Sequence, residues 1–148
     1  MKHALLLLTI LTILLISCQN RKTETKNSPL VSVIKMHAAE ALLDFTEAKK
    51  YQDINTISIY RDPTNAKANP EDVWKEYITS VHSSTKSKIF TNQWKYFEFD
   101  IIEKITDNSA EVILKLKNPN DNPQAIIYKL ELRQSVWIVV GIEYKKKD

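Results

Sequence analysis

The sequence predicts an α+β domain: two main helices packed on a curved four-stranded antiparallel sheet, with room for one extra short strand. Three observations predict it. Apolar residues between positions 34 and 81 recur at three- and four-residue spacing, the signature of one helix face. Beyond position 91 they recur at every second residue, the signature of one sheet face. Clusters of Asn, Asp and Pro punctuate these runs. With 148 residues the chain has the size of one domain, large enough to bury a core without disulfides or metals.

Ahead of that domain, residues 1–17 are of a different kind. Lys2 and His3 make a charged start, residues 5–16 are almost continuously apolar, and Ser17 stands before Cys18, the only cysteine. As a helix that apolar run spans about 18 Å, against about 30 Å for a bilayer's hydrocarbon core. It is too short to cross, and its layout is that of a secretory signal. Ordinary cleavage wants small residues at both minus one and minus three; Ser17 is small but Leu15 is not. Leu15-Ile16-Ser17-Cys18 instead resembles the lipobox of bacterial lipoproteins. That resemblance implies cleavage between Ser17 and Cys18, with a thioether-linked diacylglycerol on Cys18 as the first mature residue. Two acyl chains suffice for stable attachment, at about 0.8 kcal/mol per buried methylene. The expected location is therefore the membrane of a bacterial cell envelope, with Gln19 tilting the choice towards an outer membrane where the cell has one.

Residues 18–28 then form the lipidated cysteine and a tether. Residues 19–28 (QNRKTETKNS) contain no apolar side chain, so they read as solvated chain reaching at most about 35 Å and averaging about 17 Å. The single domain occupies residues 29–148. Ser28 and Pro29 are a cap and first helical residue, and the spacing predicts a helix to about Lys50 with Ile34, Ala38, Ala41, Leu42, Phe45 and Ala48 as its apolar stripe. Residues 56–60 read as the extra short strand. Asn69-Pro70-Glu71-Asp72 starts a second helix, with acids at the positive end of its dipole and Val73, Trp74, Tyr77, Ile78 and Val81 as its stripe.

Four strands follow. Phe97, Phe99 and Ile101 alternate with Tyr96, Glu98 and Asp100; a turn at Asp107-Asn108 leads to Ala110, Val112, Leu114 and Leu116 on one face. After the polar loop 118–123, Ile126, Tyr128, Leu130 and Leu132 form a third strand, and residues 136–144 a fourth. This element order, the strand "SAEVILKL" and the late "SVWIVVGIEY" resemble the nuclear-transport-factor-2-like superfamily, called cystatin-like in its small bacterial lipoprotein branches. The resemblance spans about residues 30–146. It implies a cone with a pocket between helices and sheet, used in that superfamily for binding, dimerisation or isomerase, dehydratase and cyclase chemistry.

Composition excludes several function classes. Gly141 is the only glycine, so Gly-rich phosphate loops, the dinucleotide fingerprint and the strained serine elbow cannot form. One cysteine permits no internal disulfide, Cys-based zinc cluster or CxxC pair. Without Lys2 the chain carries 20 basic and 18 acidic side chains, and only Arg21, Arg61 and Arg133 have the planar fork that reads phosphates and base edges. Nucleic acid is not expected as a partner, and no cofactor is assigned.

His37, Glu40 and Asp44 share a helix side at metal-ligand spacing, but a metal site would need a second set of ligands, so a solvated face is expected and no metal is assigned. Glu98 and Asp100 project together; alternation with Phe97, Phe99 and Ile101 directs them to solvent or a subunit contact. Trp74, Tyr77, Tyr128 and Trp137 suit a pocket mouth and suit core packing equally. Lys145-Lys146-Lys147 reads as a solvated tail.

The expected function is non-catalytic binding of a protein partner or a small apolar ligand by a membrane-anchored protein, with a homodimer as one arrangement. An isomerase- or cyclase-type enzyme using Asp100 with a tyrosine or His82 is the alternative, as is an immunity or inhibitor protein. If the lipobox is read correctly, Cys18→Ser moves the protein from the membrane fraction to the soluble one or leaves an unprocessed precursor. Normal processing and membrane retention of that variant, read by fractionation and intact mass, would contradict it.

Overall fold

The structure, a computed structural model, describes residues 28–61, 64, 67–83, 99–117 and 124–146. The expected leader, Ser17, Cys18 and the expected tether to residue 27, together with Tyr96, Phe97, Glu98, residues 118–123 and Lys147, lie outside the described residues. The elements are helix α1 (Pro29–Ala41), the short α2 (Phe45–Ala48), a 3-10 turn (Ser58–Tyr60), α3 (Pro70–Ser83), and strands β1 (Phe99–Thr106), β2 (Ser109–Leu116), β3 (Ala125–Arg133) and β4 (Val136–Lys145). The strands form one open antiparallel sheet in the order β1-β2-β3-β4, and α1 lies against β2 and β4. The expected α+β architecture is the observed one.

Ser28 caps α1 by accepting from the Val31 N–H at 3.4 Å, and Pro29 fills a position whose missing N–H has no helical partner to lose. The expected single helix to residue 50 is broken after Ala41. There the Leu43 N–H donates to the Glu40 carbonyl at 3.0 Å and the Asp44 N–H to the Ala39 carbonyl at 2.9 Å, the Schellman closure, with Leu43 at φ 56° where glycine is usual. Asp44 then caps α2, accepting from the Glu47 N–H at 2.9 Å.

The break changes which face is buried. Pro29, Ser32, Val33, Met36, Ala39 and Glu40 face the interior, whereas Ala38 is exposed and Leu42 is 81% exposed. Of the predicted stripe, Ala48 is buried and Phe45 packs on the core because α2 turns them back towards it. Hydropathy alone placed the stripe on the wrong residues because two polar side chains, Ser32 and Glu40, belong to the true one.

Residues 56–60 are not a strand. Asp53 draws the chain into a turn: its carbonyl accepts from the Thr56 N–H, the Ile57 N–H and the Thr56 hydroxyl, and the 3-10 turn follows. Contact with the sheet comes one step earlier, where Gln52 bridges Val139 in parallel through two backbone hydrogen bonds of 2.8 Å. For α3 the predicted start holds. Asn69 accepts from the Glu71 N–H at 3.0 Å, and Glu71, hydrogen-bonded by Lys49 and Lys75, is drawn down to about 2, which ties the end of α2 to the start of α3.

The predicted alternation is observed on β2, whereas on β3 Ile127 is buried as well as its neighbour Tyr128 on the other face. Ala110, Val112 and Leu114 of β2 and Tyr128 and Leu130 of β3 are buried, with Phe99, Ile101, Ile126 and Leu132 packed against them. On β4 the alternation changes phase. Lys129 pairs Gly141 but Leu130 pairs Val139, so Val140 is bulged out of the ladder and Trp137, Val139 and Ile142 all reach the core. Without that extra residue Ile142 would point to the opposite face.

Gln134 and Ser135 join β3 to β4 at φ 49° and 66°. Two positive φ values are the requirement of a type I′ hairpin, which favours Asn-Gly. Ser135→Gly is therefore expected to stabilise the fold by about 1 kcal/mol, the left-handed strain relieved less the entropy of glycine. A denaturation midpoint at or below the parent's would contradict this.

Candidate functional site

Beneath α1 the core is not apolar throughout. Glu40 is 1% exposed. A lone carboxylate there would be neutral, because burial in low dielectric disfavours the charge. Instead it is surrounded by donors from three segments. Its Oε1 accepts from Gln52 Nε2 at 2.8 Å and from Trp74 Nε1 at 2.9 Å, and its Oε2 lies 3.3 Å from His37 Nδ1. Burial is the largest single influence and pushes the carboxyl up. The hydrogen bond and charge of His37, with the hydrogen bonds from Gln52 and Trp74, outweigh it and hold Glu40 below the ordinary carboxylate value.

The chain of contacts continues to the sheet. His37 Nε2 lies 2.9 Å from the Tyr128 hydroxyl, and the two rings meet edge to face at 5.5 Å. With a single proton on Nδ1 towards Glu40, the imidazole accepts from that hydroxyl at Nε2; charged, it donates from both nitrogens, to Glu40 and to the Tyr128 oxygen. The helical spacing of His37 and Glu40 brings both onto one side of α1, and the pleat of β3 brings Tyr128 up from below. Ser32 Oγ and Gln52 Oε1 are buried here without a hydrogen-bond partner among the described residues.

Three more tyrosines border this cluster. Tyr60 is buried; burial first, then the charges of Glu40, Tyr144 and Tyr77, raise its phenol far above the ordinary value. Tyr144 is half-exposed, and partial burial of its phenol, with Tyr77 and Glu40, pushes it up to about 12. Tyr77 is 48% exposed, with its ring 6.2 Å from that of Tyr60. At neutral pH the Tyr60 and Tyr144 hydroxyls are therefore neutral donors, not phenolate bases.

Of the four aromatic residues singled out from sequence, Trp74, Tyr128 and Trp137 are core residues and only Tyr77 is at the surface. Trp74 and Tyr128 converge on the Glu40–His37 pair. The expectation that His37 and Glu40 lie on a solvated face is overturned: the His37 side chain is 12% exposed and that of Glu40 2%. Asp44 alone of the three is exposed, as the cap of α2. Among the described residues no group of three His, Cys, Asp or Glu side chains can hold a metal ion.

His82 is exposed in the last turn of α3, and Asp100 is exposed on the outer sheet face, 3.9 Å from Lys117. Neither belongs to the buried cluster. Among the described residues two grooves lie at the surface, one of them reaching Gln52 of the cluster. One of about 710 Å³ is bordered by Lys49, Gln52, Asp53, Glu71 and Arg133, with Lys49 paired to Glu71 at 2.7 Å and Arg133 to Asp53 at 2.8 Å. The other, about 440 Å³, lies beside the β4 bulge between Lys104, Glu111, Lys129 and Glu131. No helix among the described residues is long and apolar enough to cross a membrane. Compared with family models, curated proteins and solved structures, the chain matches none of them.

The sequence singles out His37 and Glu40 but directs them to solvent, because Glu counts as polar wherever it stands. A signal existed: Pro29, Val33, Met36 and Glu40 recur at three- and four-residue spacing, and the sequence Asp44-Phe45-Thr46-Glu47 is a capping box that ends α1 before the competing stripe is complete.

Removing the carboxylate leaves three donors facing a buried gap. Glu40→Ala is expected to destabilise by about 3 to 5 kcal/mol, and Trp74→Phe by about 1 to 3 kcal/mol through the lost donor. Because the folded Glu40 lies below its ordinary value of 4.5, its contribution is complete above that pH and disappears as the pH falls through the folded value. Glu40→Gln should flatten the acid limb of stability against pH; an acid limb identical to the parent's would exclude this role.

Proposed function

We propose that the chain is a lipid-anchored protein of the bacterial envelope that acts by binding a protein partner or a small ligand, without catalysis. The lipobox-like Leu15-Ile16-Ser17-Cys18 supports the anchor, and the polar run up to residue 28 supports a domain held near its membrane. The observation that carries the binding reading is the tyrosine group. Tyr77 and Tyr144 are half-exposed beside buried Tyr60, and tyrosine offers a large rigid apolar surface with a polar tip at little entropic cost. Aromatic rims of this kind favour an occupant that is itself partly apolar.

A second reading has one observation in its favour. His37 stands between Glu40 and Tyr128, an order in which a carboxylate orients an imidazole towards a phenol, as general acid and base chemistry requires. An enzyme of isomerase or cyclase type would then work through His37, Glu40 and Tyr128, and not through Asp100 or His82.

A photo-crosslinking residue placed at Tyr77 or Tyr144 in intact cells tests the first reading. Discrete adducts are expected from these two positions and not from exposed Glu131. The same pattern from all three, or recovery of abundant lipid alone, argues against binding at the tyrosine group. Loss of a captured partner's turnover in His37→Gln, with capture intact, would favour the enzyme.

A further inference from the structure

Among the described residues the two edges of the sheet are finished differently. On β4, the segment at Gln52 covers the edge by pairing with Val139. Among the described residues β1 pairs with β2 alone. It is also the most exposed strand, with Ile102 at 45% and Ile105 at 57%. Unpaired edges invite other strands, and proteins blunt them with proline, bulges or charge. Here β1 contains no proline, and its pairing with β2 runs from Phe99 to Thr106 without a register shift.

Its outward-facing side chains are Asp100, Ile102 and Lys104, so charge is arranged symmetrically about Ile102. We propose that β1 is a homodimer interface, in which the β1 strands of two copies pair antiparallel about a two-fold axis at Ile102 and join two sheets of four strands into one of eight. In this register Asp100 faces Lys104 of the second copy, Lys104 faces Asp100 of the second copy, and Ile102 meets its own counterpart. Ile102 already stands opposite Ile113, and Ile113 opposite Ile127, so this apolar row continues across the axis into its symmetry mate. On the helix side Ile105 comes opposite Phe99.

Other registers are poorer. Moving the axis one residue either way sets Ile102 against Asp100 or Lys104, and in the second case also Glu103 against Glu103. Turning the second copy over pairs Glu103 with Lys104, but Glu103 already accepts from the Leu30 N–H at 3.1 Å, at the start of α1. Within one chain, Lys104 reaches Glu111 and Lys117 reaches Asp100 only at 3.8 and 3.9 Å, so Asp100 and Lys104 are held loosely where they stand.

The inference goes beyond the binding reading and fails separately from it, since capture at Tyr77 needs no dimer. Sedimentation of the full chain in detergent tests it. A concentration-dependent dimer is expected; Asp100→Lys alone weakens it about tenfold or more, because two like-charge contacts replace two opposite ones. Combining Asp100→Lys with Lys104→Asp restores it. In a Cys18→Ser background, Ile102→Cys forms a disulfide-linked dimer under mild oxidation and Leu42→Cys, at a more exposed site, does not. A monomer at all concentrations, a double charge swap as weak as the single one, or equal oxidation of the two cysteine variants would overturn it.

Discussion

A charge buried beneath a helix is the constraint from which most of this architecture follows. Glu40 is stable as a carboxylate only while donors reach it, and those donors come from separate parts of the chain: His37 on α1, Gln52 on the segment that crosses to β4, and Trp74 on α3. His37 extends the link to Tyr128 on β3. Apolar burial supplies most of the driving force for collapse but is indifferent to direction. A buried carboxylate with fixed donors is not, and it sets how α1 is rotated, where the Gln52 segment docks, and which edge of Trp74 points inward.

Two local devices make that arrangement reachable. The Schellman turn at Leu43, followed at once by the Asp44 cap, ends α1 one residue past Glu40 and redirects the chain so that Phe45 packs edge to face on Trp74 at 5.1 Å. The Val140 bulge does the equivalent for the sheet. It keeps Ile142 on the same side as Trp137 and Val139, beside Tyr128, and so closes the floor under His37. A helix continued to residue 50, or a β4 without its bulge, would withdraw one wall of the polar cluster.

The same packing bears on function. The residues with the chemistry of an active site are close together but enclosed, whereas the large apolar and amphipathic side chains that meet solvent include tyrosines beside that cluster, Leu42 at the end of α1 and isoleucines along one sheet edge. Enclosed polar groups fix a unique core; exposed amphipathic and apolar ones offer surface to something else. That division is what the proposed binding function rests on.

By itself the sequence determined the class of fold, both helix starts at Ser28-Pro29 and Asn69-Pro70, the hairpin at Asp107-Asn108, and the buried faces of β2 and β3, because each depends on neighbours within a few positions: a cap, a proline, a period of two. The proposed export leader and lipidated Cys18 rest on the same kind of local pattern. Only tertiary structure decided the rest. Glu40 is polar by composition and core by position, and its spacing from Pro29, Val33 and Met36 becomes a place for a buried charge only when Gln52 and Trp74, 12 and 34 residues away, arrive to donate. The stripe on α1, the 3-10 turn in place of a strand, and the phase change in β4 share that origin. Each follows from where distant residues must meet, and hydropathy read along a chain does not record meetings.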